Sequence, residues 1–128
     1  MKEGLIGMSI VANIVVILTA LEFVFIFYLE TIATTSKRTA SVFNMEQDEL
    51  KKESVSLLFK NQGVYNLIIA VMLPVSLFLV HSKAAVVLFL VNIIAVAAYG
   101  GISLNPRIFF KQGTLALIAL ILVLVAGI

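Results

Sequence analysis

Two glutamates stand in the stretch TALEFVFIFYLE, residues 19–30, among Leu, Phe, Val and Ile side chains. A carboxylate in that company can hold a cation, pass on a proton or act as the acid or base of an enzyme. On a helix, Glu30 lies ~12 Å beyond Glu22 along the axis. The side chains able to meet them are amides and phenols in three later stretches. These are Asn61, Gln62, Tyr65 and Asn66 in NQGVYN, Tyr99 in AAYGG, and Gln112 in KQG. Four-residue spacing puts Asn61 and Tyr65 on one helix face and Gln62 and Asn66 on an adjacent one. Each of these amides and phenols can donate a hydrogen bond to a carboxylate.

Other chemistries find no support in the residue pattern. There is no Ser-His-Asp set by spacing, no HExxH, no phosphate loop and no serine elbow. The chain has no cysteine, which excludes disulfides, thiolate metal sites and a cysteine nucleophile. His81 is the one histidine and has no carboxylate beside it, so neither a metal nor another cofactor is expected. A net charge of +2 is too small to argue for nucleic acid.

The elements that must position these residues follow from composition. Of 128 residues, 62% are hydrophobic and 12% charged, about half the charged share of a soluble domain. The charges cluster, leaving four long apolar stretches. The pattern predicts an all-α fold, an integral membrane four-helix bundle forming one domain over 1–128. Its helices are expected at about 5–29, 61–81, 83–102 and 108–128, near the ~20 residues that cross a ~30 Å hydrocarbon core. The first apolar stretch exceeds the about 7 to 15 residues of a signal-peptide core and reads as a retained span. Pro74 frees the carbonyl of Ala70 and should bend the second helix. His81-Ser82-Lys83 makes helices two and three antiparallel neighbours, and Asn105 with Pro106 reads as the cap and first residue of the fourth.

Between the first two spans, TTSKRTAS (34–41) reads as a loop. From Asn44, an N-cap with Gln47 three residues on, the sequence predicts a short amphipathic helix over about 44–59. Phe43, Leu50 and Leu57 would form its apolar face, lying on the membrane surface or running straight into the second span. Lys37, Arg38, Lys51, Lys52, Lys60, Arg107 and Lys111 fall on one side of the membrane and Lys2 and Lys83 on the other. By the positive-inside rule this multi-pass cell-membrane protein places its first and third loops in the cytoplasm and both termini outside. The polar residues then gather in the cytoplasmic half. Glu22, ~26 Å from Leu5 by helical rise, lies inside the core near its cytoplasmic edge, with Glu30 at the headgroups. An ionised carboxylate at Glu22 costs at least ~2.5–3.5 kcal/mol in hydrocarbon. It is therefore expected to point inward and bond an amide or tyrosine of helix two or four.

ALE…YLE in the first span, NQGVYN opening the second, AAYGG closing the third and KQG entering the fourth resemble the domain of unknown function 1304 family, small integral membrane proteins of bacteria and fungi. The resemblance covers essentially the whole chain, and NQG-aromatic-Asn is its most specific part. It implies roles for Glu30, Asn61, Gln62, Gly63, Tyr65, Asn66, Tyr99, Gly100, Gln112 and Gly113. Many members carry histidine directly after the ALE-type triplet. Phe23 stands there in this chain, so histidine-dependent metal or proton chemistry does not carry over.

Three functions fit the residues. The first is a transporter, channel or binding protein for a polar or cationic solute, with Glu22 as charge partner and a homo-oligomer supplying any conduction path. The second is a membrane enzyme acting on a lipid or lipophilic substrate, with Glu22 as acid/base. The third is a structural or regulatory subunit whose polar residues specify helix packing. Membrane lipid is the expected surrounding partner in each.

Overall fold

Inside hydrocarbon a backbone can satisfy its N–H and C=O groups only within each segment or in a closed barrel. Apolar runs of this length therefore fold as helices. The structure is a computed structural model that describes residues 2–128, with the side chains of residue 4 and of 6–128. Lys2, counted for the outer side, and Leu5, the expected start of the first span, have side chains outside that set.

The chain is all-α among the described residues. Helix α1, Lys2–Phe27, passes into a π-helical turn, Tyr28–Ile32. Two short helices follow, α2 at Lys37–Phe43 and α3 at Gln47–Leu50. Helix α4, Glu53–Pro74, runs into a second π turn, Val75–Leu79. Helices α5, Lys83–Ser103, and α6, Pro106–Ala126, complete the chain. Four segments are long and apolar enough to cross a membrane: Ile6–Ile32, Glu53–Leu79, Lys83–Ser103 and Pro106–Ala126. The four-helix membrane class read from the sequence is the one observed.

The connections are set by caps. Ser82 accepts from the Ala85 N–H at 3.1 Å and Asn105 from the Arg107 N–H at 2.9 Å, with Pro106 opening α6 as expected. Pro74 marks the change from α to π winding: its missing N–H and its ring disrupt the α ladder at that point.

The segment between the first two spans differs from expectation. Residues 37–43, read as loop, form α2. Its N-cap is Ser36, whose hydroxyl accepts from the Thr39 N–H at 3.1 Å. Asn44, expected to start a helix, ends one. It adopts φ 53°, and the bonds Asn44 N–H to Ser41 O and Met45 N–H to Ala40 O close a Schellman motif. Asn is among the few residues that take this left-handed conformation readily, so its helix-ending role prevails over capping. The expected helix over 44–59 is thus divided: α3 is a single turn, and residues 53–59 belong to the second span, which starts at Glu53 rather than 61. The seven-residue repeat divides with it. Leu50 is fully buried and Phe43 packs edge-on against Phe59 (5.3 Å, 86°), whereas Leu57 is exposed.

The chain divides into two compact units, Met1–Ala20 with Val71–Ile128, and Leu21–Ala70. In the first, α5 buries Val86, Leu90, Ile93 and Ala97, and α6 buries Ile108, Gly113, Ala116, Ala119 and Val123. The small residues let the backbones approach, as membrane helix contacts require: a Cβ at Gly113 would sit 3.3 Å from that of Ala97. In the second unit, Phe23, Ile26, Leu29, Ala40 and Leu50 are buried, joined by the polar Glu30, Thr34 and Thr39.

Candidate functional site at the end of the first span

The last carbonyls of a helix have no partner within it, and here the hydroxyl-rich sequence TIATTSKRT supplies partners. Within the second unit, Thr39 Oγ1 lies 2.9 Å from Leu29 O and 2.8 Å from Ala33 O, and Thr34 Oγ1 donates to Glu30 O at 2.7 Å. Ala33 N–H reaches back five residues to Tyr28 O at 2.8 Å, which defines the π turn. Single π turns of this kind recur at functional sites because they re-aim the side chains they carry.

Glu30 is the carboxylate in that turn, and it is 4% exposed. Asn66 on α4 donates to it, Nδ2 to Oε1, at 2.5 Å. Lys60, Gly63 and Asn66, three residues apart, make the face of α4 turned to the π segment. Thr31 Oγ1 donates to the backbone oxygen of Lys60 at 2.9 Å. Gly63 is buried between them. A Cβ there would overlap Thr31 Oγ1 and approach the Cβ atoms of Glu30 and Thr31 to 3.1 Å. No other residue type fits this contact without movement, which accounts physically for the glycine in NQGVYN.

The basic residues of the same unit leave Glu30 alone. Arg38 places its guanidinium 5.0 Å from the centre of the Phe25 ring and does not meet the carboxylate. The one ion pair among the described residues, Lys52 with Glu49 at 2.6 Å, is exposed.

The structure thus joins two of the eight residues singled out by sequence, Glu30 and Asn66. It gives the bond expected of Glu22 to Glu30 instead. Glu22 is half-buried, its Oε1 shut off from solvent and without a hydrogen-bond partner among the described residues. The reason is in α4, which after Asn66 offers no polar side chain before Ser76, while Asn66 itself is held by Glu30. Asn61, Gln62 and Tyr65 are exposed. In the other unit, Tyr99 is exposed and Gln112 half-buried, and Gly100 and Gly113 sit at the close approach of α5 to α6, where Cβ atoms would lie 3.0 Å from Ile108 Cγ2 and 3.3 Å from Ala97 Cβ. Thr31, Thr34 and Thr39 were missed. Their signal was a run of hydroxyl residues immediately after a span, where orphan carbonyls need donors.

The outward faces of the four long helices are rich in exposed Ile, Leu, Val and Phe, as lipid contact demands. The fold and this buried acid–amide pair define a multi-pass, all-α membrane protein with a polar helix end. The family model described as "Protein of unknown function (DUF1304)" matches residues 17–124, and the chain belongs to that family. It is 48% identical over 115 residues to the uncharacterized protein YpaA of Lactococcus lactis subsp. lactis (strain IL1403), covering 89% of this chain and 97% of that relative. No solved structure matches it.

Proposed function

We propose that the protein binds a cation at Glu30 and serves as a small carrier or channel for it, with Asn66 orienting the carboxylate. The observation that carries this reading is the solitude of Glu30, which is buried in a membrane-spanning segment and accepts one side-chain hydrogen bond, from Asn66. A bare carboxylate shut off from water is costly unless it is paired, and one charge-assisted hydrogen bond returns about 1.5–3 kcal/mol. The remaining lone pairs are free to face a positive charge, and no lysine or arginine among the described residues supplies one. Glu22, ~12 Å further along α1, offers a second carboxylate on the way through the membrane. The excess of seven basic residues on the Glu30 side over two on the other favours a cytoplasmic position for that end by the positive-inside rule.

The test is equilibrium binding of sodium, potassium and tetraphenylphosphonium to the purified protein in detergent. At least one should bind the wild type, Asn66→Ala should weaken it about tenfold or more, and Glu30→Gln should abolish it. Wild type that binds none of the three, or Glu30→Gln that binds as well as wild type, contradicts the reading.

A further inference from the structure

Arg38, on α2, is a charged group that the Glu30 reading leaves unused. Its guanidinium lies over the Phe25 ring of the first span, 5.0 Å from the ring centre. None of its N–H donors meets a carboxylate or another acceptor among the described residues. The bonds of Thr39 to Leu29 O and Ala33 O hold α2 against the π turn and so bring Arg38 to the side of α1. The first span has 27 residues, which make ~40 Å of helix against a ~30 Å hydrocarbon core. Phe25 lies seven residues before its end at Ile32, ~10 Å by helical rise. The guanidinium therefore stands near the boundary between hydrocarbon and headgroups.

Leu21, Phe25, Tyr28 and Ile32 recur at spacings of four and three residues, and all are exposed. They form one apolar track along the span, and Arg38 caps it at Phe25. Residues 31–45 carry Lys37 and Arg38 and no acid, and both basic side chains are exposed.

An occupant of this corner must bring an anion to the guanidinium and an apolar chain to the track. A free inorganic anion meets only the first requirement. A zwitterionic lipid brings a phosphate, but also a cation into the neighbourhood of Lys37. An anionic phospholipid meets both requirements without that conflict. A guanidinium presents a planar fork of donors that matches phosphate oxygens, and it stacks on aromatic faces. Contact with Phe25 holds it in place and leaves its donors for charge-assisted bonds to a phosphate.

We infer that Arg38, held over Phe25, is a headgroup site for an anionic phospholipid, whose phosphate it binds while an acyl chain lies along Leu21, Phe25, Tyr28 and Ile32. Glu30 takes no part in this site, which stands whether or not a cation binds there.

The chain has no tryptophan, so a single one can report on lipid contact in the full protein reconstituted into vesicles. With Ile32→Trp as reporter, quenching by brominated phosphatidylglycerol in phosphatidylcholine is compared with the reverse labelling at fixed ionic strength. Phosphatidylglycerol should be preferred about fivefold. Adding Arg38→Gln should bring the two lipids near parity. Adding Lys51→Gln, which removes the same charge from an exposed position in the same polar segment, should leave the preference in place. With Leu88→Trp, exposed on α5, as the reporter instead, neither lipid should be preferred. The comparison of the two reporters keeps Arg38, so it stands even where Arg38→Gln does not fold. Parity at Ile32→Trp, or an equal preference at Leu88→Trp, would overturn the inference. So would a preference that survives Arg38→Gln, one lost equally in Lys51→Gln, or displacement of the lipid by inorganic phosphate.

Discussion

Glu30 and Asn66 meet because Gly63 has no side chain. With Thr31 Oγ1 in the space where a Cβ would stand, Gly63→Ala must push α4 away from the π turn and loosen the bonds of Thr31 to Lys60 and of Asn66 to Glu30. Overpacking of this kind destabilises by about 1–3 kcal/mol, read as a lower melting temperature in detergent. Adding Thr31→Ala should recover part of that loss, since it removes the overlapping oxygen. A double-mutant cycle in which the two changes are additive would show that they do not touch. At this scale the sequence identified the partners but not the pairing. NQGVYN and the two glutamates were visible as unusual residues in an apolar context. Glu22 drew the expectation because it lies deeper. Which acid takes the amide is decided by the helix-to-helix approach at one glycine, and that depends on residues 31 and 63, which are 32 positions apart.

The element that organises the site is the end of the first span, where helix α1 tightens into the π turn and is stopped by hydroxyl groups. Thr39 is buried, and its one hydroxyl lies against the carbonyls of both Leu29 and Ala33. Thr39→Val preserves shape but removes the hydroxyl from both carbonyls, leaving Ala33 O with the Ser36 N–H at 3.1 Å; losing a buried hydrogen bond of this kind costs about 1–3 kcal/mol. The expected outcome is a lower melting temperature, with faster amide exchange concentrated in residues 29–43. Unchanged exchange there would mean that the hydroxyl does not hold the turn. The four long helices were readable from hydropathy because the need to satisfy the backbone in lipid overrides every local preference. The short helices were not, since in a polar stretch a serine at 36 and an asparagine at 44 compete for the same capping roles. Asn44 has the stronger claim to a left-handed helix end, a preference that carries no sequence period.

For the whole molecule, the charge distribution sets the expected orientation. Reporter tags at residue 1 and near Ser41 should fall on opposite sides of the membrane, the latter in the cytoplasm. Tags on the same side would remove the argument that the Glu30 end faces the cytoplasm. The membrane class and the family were both legible from the sequence. The division into two units was not, because each of its boundaries falls inside a continuous apolar helix, at residues 20–21 and 70–71, where neither charge nor composition changes. The central claim, that Glu30 is the group that meets a cation, is tested most directly by infrared difference spectroscopy of the protein in lipid on addition of sodium, potassium or tetraphenylphosphonium. The account predicts a shift in a carboxylate stretching band with at least one of them, lost in Glu30→Gln and retained in Glu22→Gln. A band that does not respond to any of the three, or a response that survives in Glu30→Gln, would contradict it.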